Sequence, residues 1–341
     1  MYTLTNIGGV GGSRSDAFAI NAFGAVAGSA FDMENRSHGF AYENFVSDLG
    51  RDTDARGINA EGQIVGTQNG YATVWKGGSV ETLGSFGGGQ STGLSINDYG
   101  YVTGASLRTD GQQHAFLAFN GQMVDVGTLG GAWSAGYSIN NAGQIAGSSQ
   151  TAFGYTRAFV RDQNGGMRDL GTIGGRESRG MAINTSGIVA GASTTSSRYF
   201  HATLWNSSGA ATDLGTLGGK SSYAYGLNDS GYVVGFSYDA EGRSRAFVWT
   251  GSMLFDLNDL VTNSPGWSLT AAYGINARGQ IVGTGIYMGQ SAAFRLDPTF
   301  ALTSAVSDEA SPELAVSAVP EPGSLVLLGT GVLLLTFRKQ L

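Results

Sequence analysis

One short pattern recurs seven times along this chain of 341 residues. In each copy an Asn follows an apolar stretch, a Gly stands three residues after the Asn, and a β-prone stretch follows the Gly. The copies are AINAFGAVAG at Asn21, GINAEGQIVG at Asn59, SINDYGYVTG at Asn97, SINNAGQIAG at Asn140, AINTSGIVAG at Asn184, GLNDSGYVVG at Asn228 and GINARGQIVG at Asn276. Successive Asn residues lie 38, 38, 43, 44, 44 and 48 positions apart. A period of this length restricts the chain to repeat architectures, in which one supersecondary unit packs against its neighbours.

Each copy predicts two strands joined by a tight turn. Asn is favoured at the first position of a type I turn because its side chain bonds the backbone two residues on, and Gly at the last position adopts positive φ. A third strand follows, and its marker residue in five copies stands 17 positions after the Asn. These markers are His38, His114, Arg157, His201 and Arg245, with shortened versions at Tyr71 and Ala292.

A fourth strand ends in a motif of the Asp-Leu-Gly type. The motif begins at Asp48, Asp125, Asp169 and Asp213, with variants at Thr82 and Asp256. Four strands in about 40 to 45 residues is the size of a propeller blade. We therefore expect an all-β fold, a seven-bladed β-propeller of four-stranded blades over residues 1–297.

The two ends of the repeat region complement each other. Asn6-Ile7-Gly8 lies 15 residues before Asn21, and two later units repeat this offset between the fourth-strand Asp and the next Asn. The last unit lacks a fourth strand after Ala292. Because closing a ring removes exposed sheet edges, we predict that Tyr2 to Gly8 completes the blade formed near residues 271–297.

Composition excludes several classes of protein. The net charge is −7 and only 13% of residues are charged, so no basic field is present to hold a nucleic-acid backbone. The chain has no Cys, which excludes disulfides, thiolate metal sites and cysteine nucleophiles. Its 56 Gly residues indicate many turns and close backbone approaches.

Three features carry a family resemblance: His114-Ala115-Phe116, the DLGTLGG run from Asp213 to Gly219, and the GIN…GQIVG segments. On these features the repeat resembles the HAF family of bacterial extracellular repeats, over roughly residues 2–297. The resemblance implies a surface or exported location and assigns no chemistry.

The chain changes character after the repeats. Residues 298–319 are rich in Ala, Ser, Asp, Glu and Pro, which predicts a flexible linker. Residues 320–341 begin with Pro320-Glu321-Pro322, continue with an apolar run from Leu325 to Phe337, and reach a basic end at Arg338-Lys339. We expect this segment to form a hydrophobic helix, either spanning a membrane with its basic end on the cytoplasmic side or buried against the protein.

The order of motif, apolar segment and basic end resembles the PEP-CTERM sorting signal. This resemblance implies recognition by an exosortase, in Gram-negative bacteria that make extracellular polysaccharide. It also implies membrane tethering before sorting and a final place in the cell envelope or outside the cell. Proteins of this kind normally carry a signal peptide, and none is visible here, where Met1 is followed at once by a predicted repeat strand.

Two motifs resemble ligand sites, and the repeat explains them better. LGTLGGKS, from Leu214 to Ser221, lacks the first Gly of a phosphate-binding loop and leads into a strand instead of a helix. The segment from Asp52 to Gly57 resembles the start of a calcium loop, but Arg56 and Gln63 stand where oxygen ligands are needed.

The three His residues occupy one repeat position and would lie far apart around a ring, so we expect them to be structural rather than metal-binding or catalytic. The repeated Asp residues are expected to bond nearby turn backbone, with a cation-binding ring as the alternative. The sequence predicts no catalytic residue, no metal site and no cofactor.

The candidate binding residues are aromatic. If the first strand of each unit is innermost, the loops between second and third strands and the GTLGG links share one face, on which the units differ. That face carries Trp133, Tyr155, Tyr199 and Tyr238, flat side chains that stack on sugar rings or pack on their own blade. The leading hypothesis is a non-enzymatic surface protein that binds extracellular polysaccharide or another envelope component. A propeller glycoside hydrolase or lyase and a purely structural matrix protein are the alternatives.

Overall fold

Twenty-eight β-strands and one 3₁₀ turn account for the regular structure in residues 1–299, the part of the chain that the computed structural model describes. The strands form seven antiparallel sheets of four strands each. The predicted all-β, seven-bladed propeller of four-stranded blades is therefore confirmed.

In chain order, β1 (Tyr2–Gly8) belongs to the last blade. Blade 1 contains β2 (Ser15–Ile20), β3 (Val26–Phe31), β4 (Ser37–Tyr42) and β5 (Val46–Arg51). Blade 2 contains β6 (Thr53–Ile58), β7 (Ile64–Gln68), β8 (Tyr71–Lys76) and β9 (Ser79–Gly84). Blade 3 contains β10 (Gly87–Ile96), β11 (Val102–Arg108), β12 (Gln113–Phe119) and β13 (Gln122–Gly127).

Blade 4 contains β14 (Gly130–Ile139), β15 (Ile145–Thr151), β16 (Thr156–Arg161) and β17 (Met167–Asp169). Blade 5 contains β18 (Gly174–Ile183), β19 (Val189–Thr195), β20 (Phe200–Trp205) and β21 (Ala211–Asp213). Blade 6 contains β22 (Gly218–Leu227), β23 (Val233–Asp239), β24 (Ser244–Trp249) and β25 (Leu254–Asp256), followed by the 3₁₀ turn Leu257–Asp259. Blade 7 contains β26 (Trp267–Ile275), β27 (Ile281–Tyr287), β28 (Gln290–Pro298) and β1.

The four strands of a blade are called A to D from the central channel outward. Strand A lines the channel in every blade. Because the strands are antiparallel, the A–B and C–D turns lie at one end of each blade, here called the turn face. The B–C loops and D–A links lie at the other end, here called the loop face.

Each B strand is buried on both sides, between neighbouring blades, and carries a Gly seven residues after the repeat Asn. In blade 4 this residue is Gly147, and a Cβ there would lie 2.1 Å from the carbonyl oxygen of Ala135 and 2.7 Å from the ring of Phe159. Phe159 is the Phe of the third-strand motif and is fully buried, as are Phe40, Phe116, Phe247 and Phe294 in their blades. Burying one such ring contributes roughly 1.5–3 kcal/mol, so the repeat Gly makes room for the side chain that stabilises the blade.

The ring is closed at its rim by β1. This strand pairs antiparallel with β28, with Tyr2 opposite Pro298 and Asn6 opposite Phe294. The backbone N–H of Tyr2 also donates to the carbonyl oxygen of Leu260, at 2.9 Å. The predicted closure of the last blade by the first segment is confirmed.

The described chain begins and ends on the turn face. The backbone N–H of Thr299 donates to the carbonyl oxygen of Met1 at 3.0 Å, at the outer end of blade 7. Residues 1–299 contain no helix that is long and apolar enough to cross a membrane. The predicted hydrophobic helix, residues 320–341, lies outside the described residues, as does nearly all of the predicted linker, so both stay predictions, together with their boundaries.

Candidate functional site

A closed ring of seven hydrogen bonds lies where the channel opens on the turn face. Each repeat Asn donates from its side-chain Nδ2 to the backbone carbonyl oxygen of the repeat Asn in the next blade. The distances are 3.0 Å for Asn21 to Asn59, Asn59 to Asn97, Asn97 to Asn140 and Asn140 to Asn184, 3.4 Å for Asn184 to Asn228, 3.1 Å for Asn228 to Asn276, and 2.9 Å for Asn276 to Asn21. All seven side chains are buried. The predicted Asn turn is confirmed, for example by the Tyr99 N–H that donates to Asn97 Oδ1 at 3.1 Å, whereas the sequence analysis missed the hydrogen bonds between blades.

The loop-face half of the channel is lined by residues that differ from blade to blade. Every A strand has a β-bulge three residues before the repeat Asn, where the pairing with strand B shifts by one residue. A bulge re-aims the side chain of the extra residue. The bulge residues are Phe18, Arg56, Leu94, Tyr137, Met181, Tyr225 and Tyr273, and all of them line this part of the channel, a space of about 190 Å³.

Six aromatic rings form a continuous series from blade 5 through blades 6 and 7 to blade 1, here called the aromatic arc. Its centroid distances are 5.4 Å for Phe200 to Tyr223, 5.0 Å for Tyr223 to Phe236, 5.9 Å for Phe236 to Tyr225, 5.3 Å for Tyr225 to Tyr273 and 5.5 Å for Tyr273 to Phe18. The first three pairs are stacked, with interplanar angles of 29°, 12° and 25°. All six side chains are half-buried.

An arginine lies against each end of the aromatic arc. The guanidinium carbon of Arg179 is 5.7 Å from the ring centre of Phe200, and that of Arg56 is 4.0 Å from the ring centre of Phe18. Arg56 Nε also donates a hydrogen bond to a carboxylate oxygen of Asp54 at 2.5 Å, so the charge of Arg56 is largely neutralised within the protein. Arg179, by contrast, is exposed and has no carboxylate within ion-pair distance in residues 1–299.

The tyrosines of the arc keep their protons. Burial, together with neighbouring tyrosines, raises the pKa of Tyr225, and burial raises the pKa of Tyr223. Both phenols are therefore neutral hydroxyl groups at any physiological pH. Neither hydroxyl has a hydrogen-bond partner within the described part of the chain. These hydroxyls can donate to a polar ligand that contacts the arc.

The four aromatic residues predicted from the sequence all lie on the loop face, and the structure does not bring them together as one surface. Tyr238 joins the arc, with its ring edge-on to Phe236 at 5.6 Å and 39% of the residue exposed. Tyr199 is 42% exposed and lies 5.4 Å from Lys220 Nζ. Tyr155 is half-buried and contacts Arg176 at 5.5 Å. Trp133 is half-buried within β14, and in residues 1–299 it pairs with no other aromatic ring.

Most of the arc was missed by sequence reasoning. Its members come from four blades, and their adjacency depends on how those blades meet. A usable signal was nevertheless present: the position three residues before the repeat Asn varies from copy to copy although both neighbouring segments repeat. A position that varies inside a regular repeat indicates a side chain that the fold itself does not constrain.

The repeated His and Asp residues form pairs within separate blades. His Nδ1 lies 2.9 Å from Asp in the pairs His38–Asp48, His114–Asp125 and His201–Asp213. As predicted, the Asp also accepts a backbone N–H two residues on, for example from Gly127 to Asp125 at 2.7 Å. No cluster of three His, Asp or Glu side chains suited to a metal ion occurs in residues 1–299.

Comparison with known sequences places a sorting signal at the end of the chain. Residues 318–340 match the family described as the PEP-CTERM protein-sorting motif. The chain carries this sorting motif. It includes Pro320, Glu321 and Pro322 as well as Arg338 and Lys339, and it implies recognition by an exosortase and export to the cell surface. The HAF resemblance stays a prediction, and a search of the curated proteins found no match to this chain.

Solved structures with a similar fold are distant in sequence. A puromycin hydrolase, the S511A mutant complexed with PGG, has a TM-score of 0.59 at 12% identity, over 82% of this chain and 53% of that one. A putative TolB from Agrobacterium tumefaciens gives 0.53 at 12%, over 84% of this chain and 100% of that one. The propeller domain of the Trilobed protease from Pyrococcus furiosus, described as having an open velcro topology, gives 0.55 at 8%, over 83% and 96%. This chain thus spans about half of the hydrolase, and the likenesses show the propeller fold alone.

Proposed function

We propose that this protein is exported, sorted by an exosortase-type system, and binds extracellular polysaccharide on its loop face without catalysing a reaction. The observation that carries the binding proposal is the aromatic arc. Its six half-buried rings form one continuous series, and aromatic rings that carry hydroxyl groups are suited to pyranose rings, whose faces are apolar and whose edges are polar.

The size of the channel favours a polymer over an enclosed small molecule. The loop-face half of the channel holds about 190 Å³. Small-molecule pockets usually hold at least about 300 Å³. A sugar chain therefore contacts the arc by lying across the mouth of the channel.

The carboxylates beside the arc support a non-enzymatic role. Asp16 accepts a hydrogen bond from Thr284 Oγ1 at 2.7 Å and another from Arg14 Nε at 3.0 Å. Asp54 accepts from Arg56 Nε and from Ser29 Oγ. Glycoside hydrolysis uses a pair of carboxyl groups that flank one glycosidic bond, whereas both of these carboxylates are bonded to side chains of the protein itself.

A glycan array with the full-length protein tests the proposal, followed by titration of the bound polymer. Tyr238→Ala should weaken binding about two- to twelvefold, which corresponds to the ~0.5–1.5 kcal/mol of one aromatic contact. Tyr99→Ala is the matched control, because Tyr99 is an exposed tyrosine on the turn face that contacts one other ring. Equal losses for the two variants, or no bound polymer, would contradict the proposal. A panel of glycosidase and lyase substrates should give no product, and turnover of the bound polymer would establish the enzymatic alternative.

Two further predicted residues separate binding from packing. Trp133→Ala and Tyr199→Ala should weaken glycan binding while the melting temperature stays nearly constant, because a partly exposed ring contributes little to folding. A large fall in the melting temperature would show that these rings pack on their own blade.

A further inference from the structure

We infer that the polymer is anionic and that its charged groups are bound by a ladder of cations and aromatic rings on the loop face of blades 4 to 6, an inference that rests on the proposed function. The cation–aromatic ladder consists of the pairs Tyr155–Arg176 and Tyr199–Lys220, with Arg179 on Phe200 beside them.

The two main pairs repeat the same geometry one blade apart. Arg176 and Lys220 both follow the Gly-Gly of a D–A link, in blades 5 and 6. Arg176 Cζ lies 5.5 Å from the ring of Tyr155, and Lys220 Nζ lies 5.4 Å from the ring of Tyr199. In both pairs the aromatic residue belongs to the B–C loop of the preceding blade. Cations repeated from one blade to the next suit a polymer that carries charges at intervals along its length.

The cations of the ladder are not neutralised by the protein. In residues 1–299 no carboxylate lies within 4.0 Å of Arg176, Arg179 or Lys220, and Glu177 between them pairs with none of them. Two arginines on the B–C loops of blades 1 and 6 differ in this respect, because each is paired with a carboxylate. Arg36 pairs with Asp32 at 2.9 Å, and Arg243 pairs with Asp239 at 2.7 Å. An aromatic face holds a cation in place without cancelling its charge, so these groups remain available to an anion.

A cavity joins the ladder to the aromatic arc. It holds about 480 Å³, and its lining includes Arg176, Arg198, Thr194 and Phe200. Phe200 is also the first ring of the arc. A sugar unit in this cavity would meet the guanidinium groups of Arg176 and Arg198, one carboxylate, that of Glu177, and the ring of Phe200. Because a guanidinium matches a carboxylate with two parallel hydrogen bonds, the arrangement favours uronic acid units.

Titration of the full-length protein with matched polymers tests the inference. The probes are polygalacturonate, carboxyl-reduced polygalacturonate of the same length, dextran sulfate, and single-stranded DNA. We expect polygalacturonate to bind at least about tenfold more tightly than its carboxyl-reduced form. The preference should shrink between about 50 mM and about 300 mM NaCl, since exposed charges are screened. The variant Arg176→Gln with Lys220→Gln should lose most of the preference and keep its melting temperature, because both side chains are exposed.

The matched control is Lys76→Gln with Arg278→Gln. It removes the same charge from exposed turn-face positions, including one cation on a ring, Arg278 on Phe23 at 5.9 Å. The control should bind as the unmodified protein does, and an equal loss in both variants would show that the ladder does not bind the polymer.

Equal affinity for polygalacturonate and its carboxyl-reduced form would show that the ligand need not be anionic, while the proposed function stands. Binding of no polysaccharide would overturn both proposals. Tighter binding of dextran sulfate would replace uronate by sulfate, and equal binding of DNA would overturn sugar recognition.

Discussion

The side-chain Nδ2 of Asn276 lies 2.9 Å from the backbone carbonyl oxygen of Asn21, 255 residues earlier in the chain. This bond joins blade 7 to blade 1 in the same way that the six other bonds of the ring join consecutive blades. The propeller is thus closed twice, at the channel by side chains and at the rim by the β1–β28 ladder.

Asn276→Asp should lower the free energy of unfolding by about 1–3 kcal/mol, the cost of leaving a buried polar group without its partner. The carboxylate keeps the acceptor for its own turn and loses the donor to Asn21. Urea unfolding followed by circular dichroism measures the change. Asn206→Asp is the control, because Asn206 caps the same kind of turn at 2.9 Å, is exposed, and bonds no neighbouring blade within residues 1–299. Similar losses in the two variants would show that the ring contributes nothing beyond the turns.

Removing residues 1–9 should destabilise the propeller by several kcal/mol and promote aggregation, because β28 becomes an exposed edge and the buried Tyr2 and Ile7 are lost. Differential scanning calorimetry and light scattering report the two effects. Deletion of residues 320–341 is the comparison and should leave the unfolding midpoint unchanged. An unchanged midpoint in the N-terminal truncation would show that closure at the rim is energetically unimportant.

Gly147→Ala should destabilise more than Gly143→Ala. At Gly147 the new Cβ meets a carbonyl oxygen at 2.1 Å and cannot be accommodated without moving a strand. At Gly143, with φ of +75° and open space around it, the cost is only the ~1–2 kcal/mol of the left-handed conformation. Thermal unfolding of the two variants ranks them. The reverse order would mean that strand A can move at little cost in free energy to make room for the new Cβ.

Tyr2→Phe should reduce the amount by which the free energy of unfolding falls at alkaline pH. Burial, together with Tyr232, raises the pKa of Tyr2 to about 12. Between the usual tyrosine pKa of about 10 and this value the unfolded chain releases a proton that the folded chain keeps, so stability falls as pH rises. Phe has no titratable hydroxyl, so Tyr2→Phe removes this contribution. When the pH is raised from ~8 to ~11, the unfolding free energy of the variant should therefore fall by about 1 kcal/mol less than that of the unmodified protein. Parallel pH profiles for the two proteins would contradict the assignment.

The number of blades, the Asn turns and the closure at the rim could all be predicted from the sequence. The turns depend on residues close together in the chain, and the number of blades and the closure depend on the number and spacing of the repeats. An Asn turn forms within five residues. The closure was deduced by comparing the offset from Asn6-Ile7-Gly8 to Asn21 with the same offset in later repeats. The arc does not follow, since Phe18 and Tyr273 become neighbours only through the closure of the ring. The His–Asp pairs are an intermediate case: both members were recognised, and their contact needed the register of two adjacent strands.

The strand that leads out of the propeller is hydrogen-bonded on both flanks, to β27 on one side and to β1 on the other. Tension applied to the chain beyond Thr299 therefore enters through an interior strand of the sheet and not through an edge. A pull along β28 loads two ladders in shear, so that their hydrogen bonds must rupture together and not one after another as in peeling. We therefore expect β28 to resist tension better than an edge strand of the same length would.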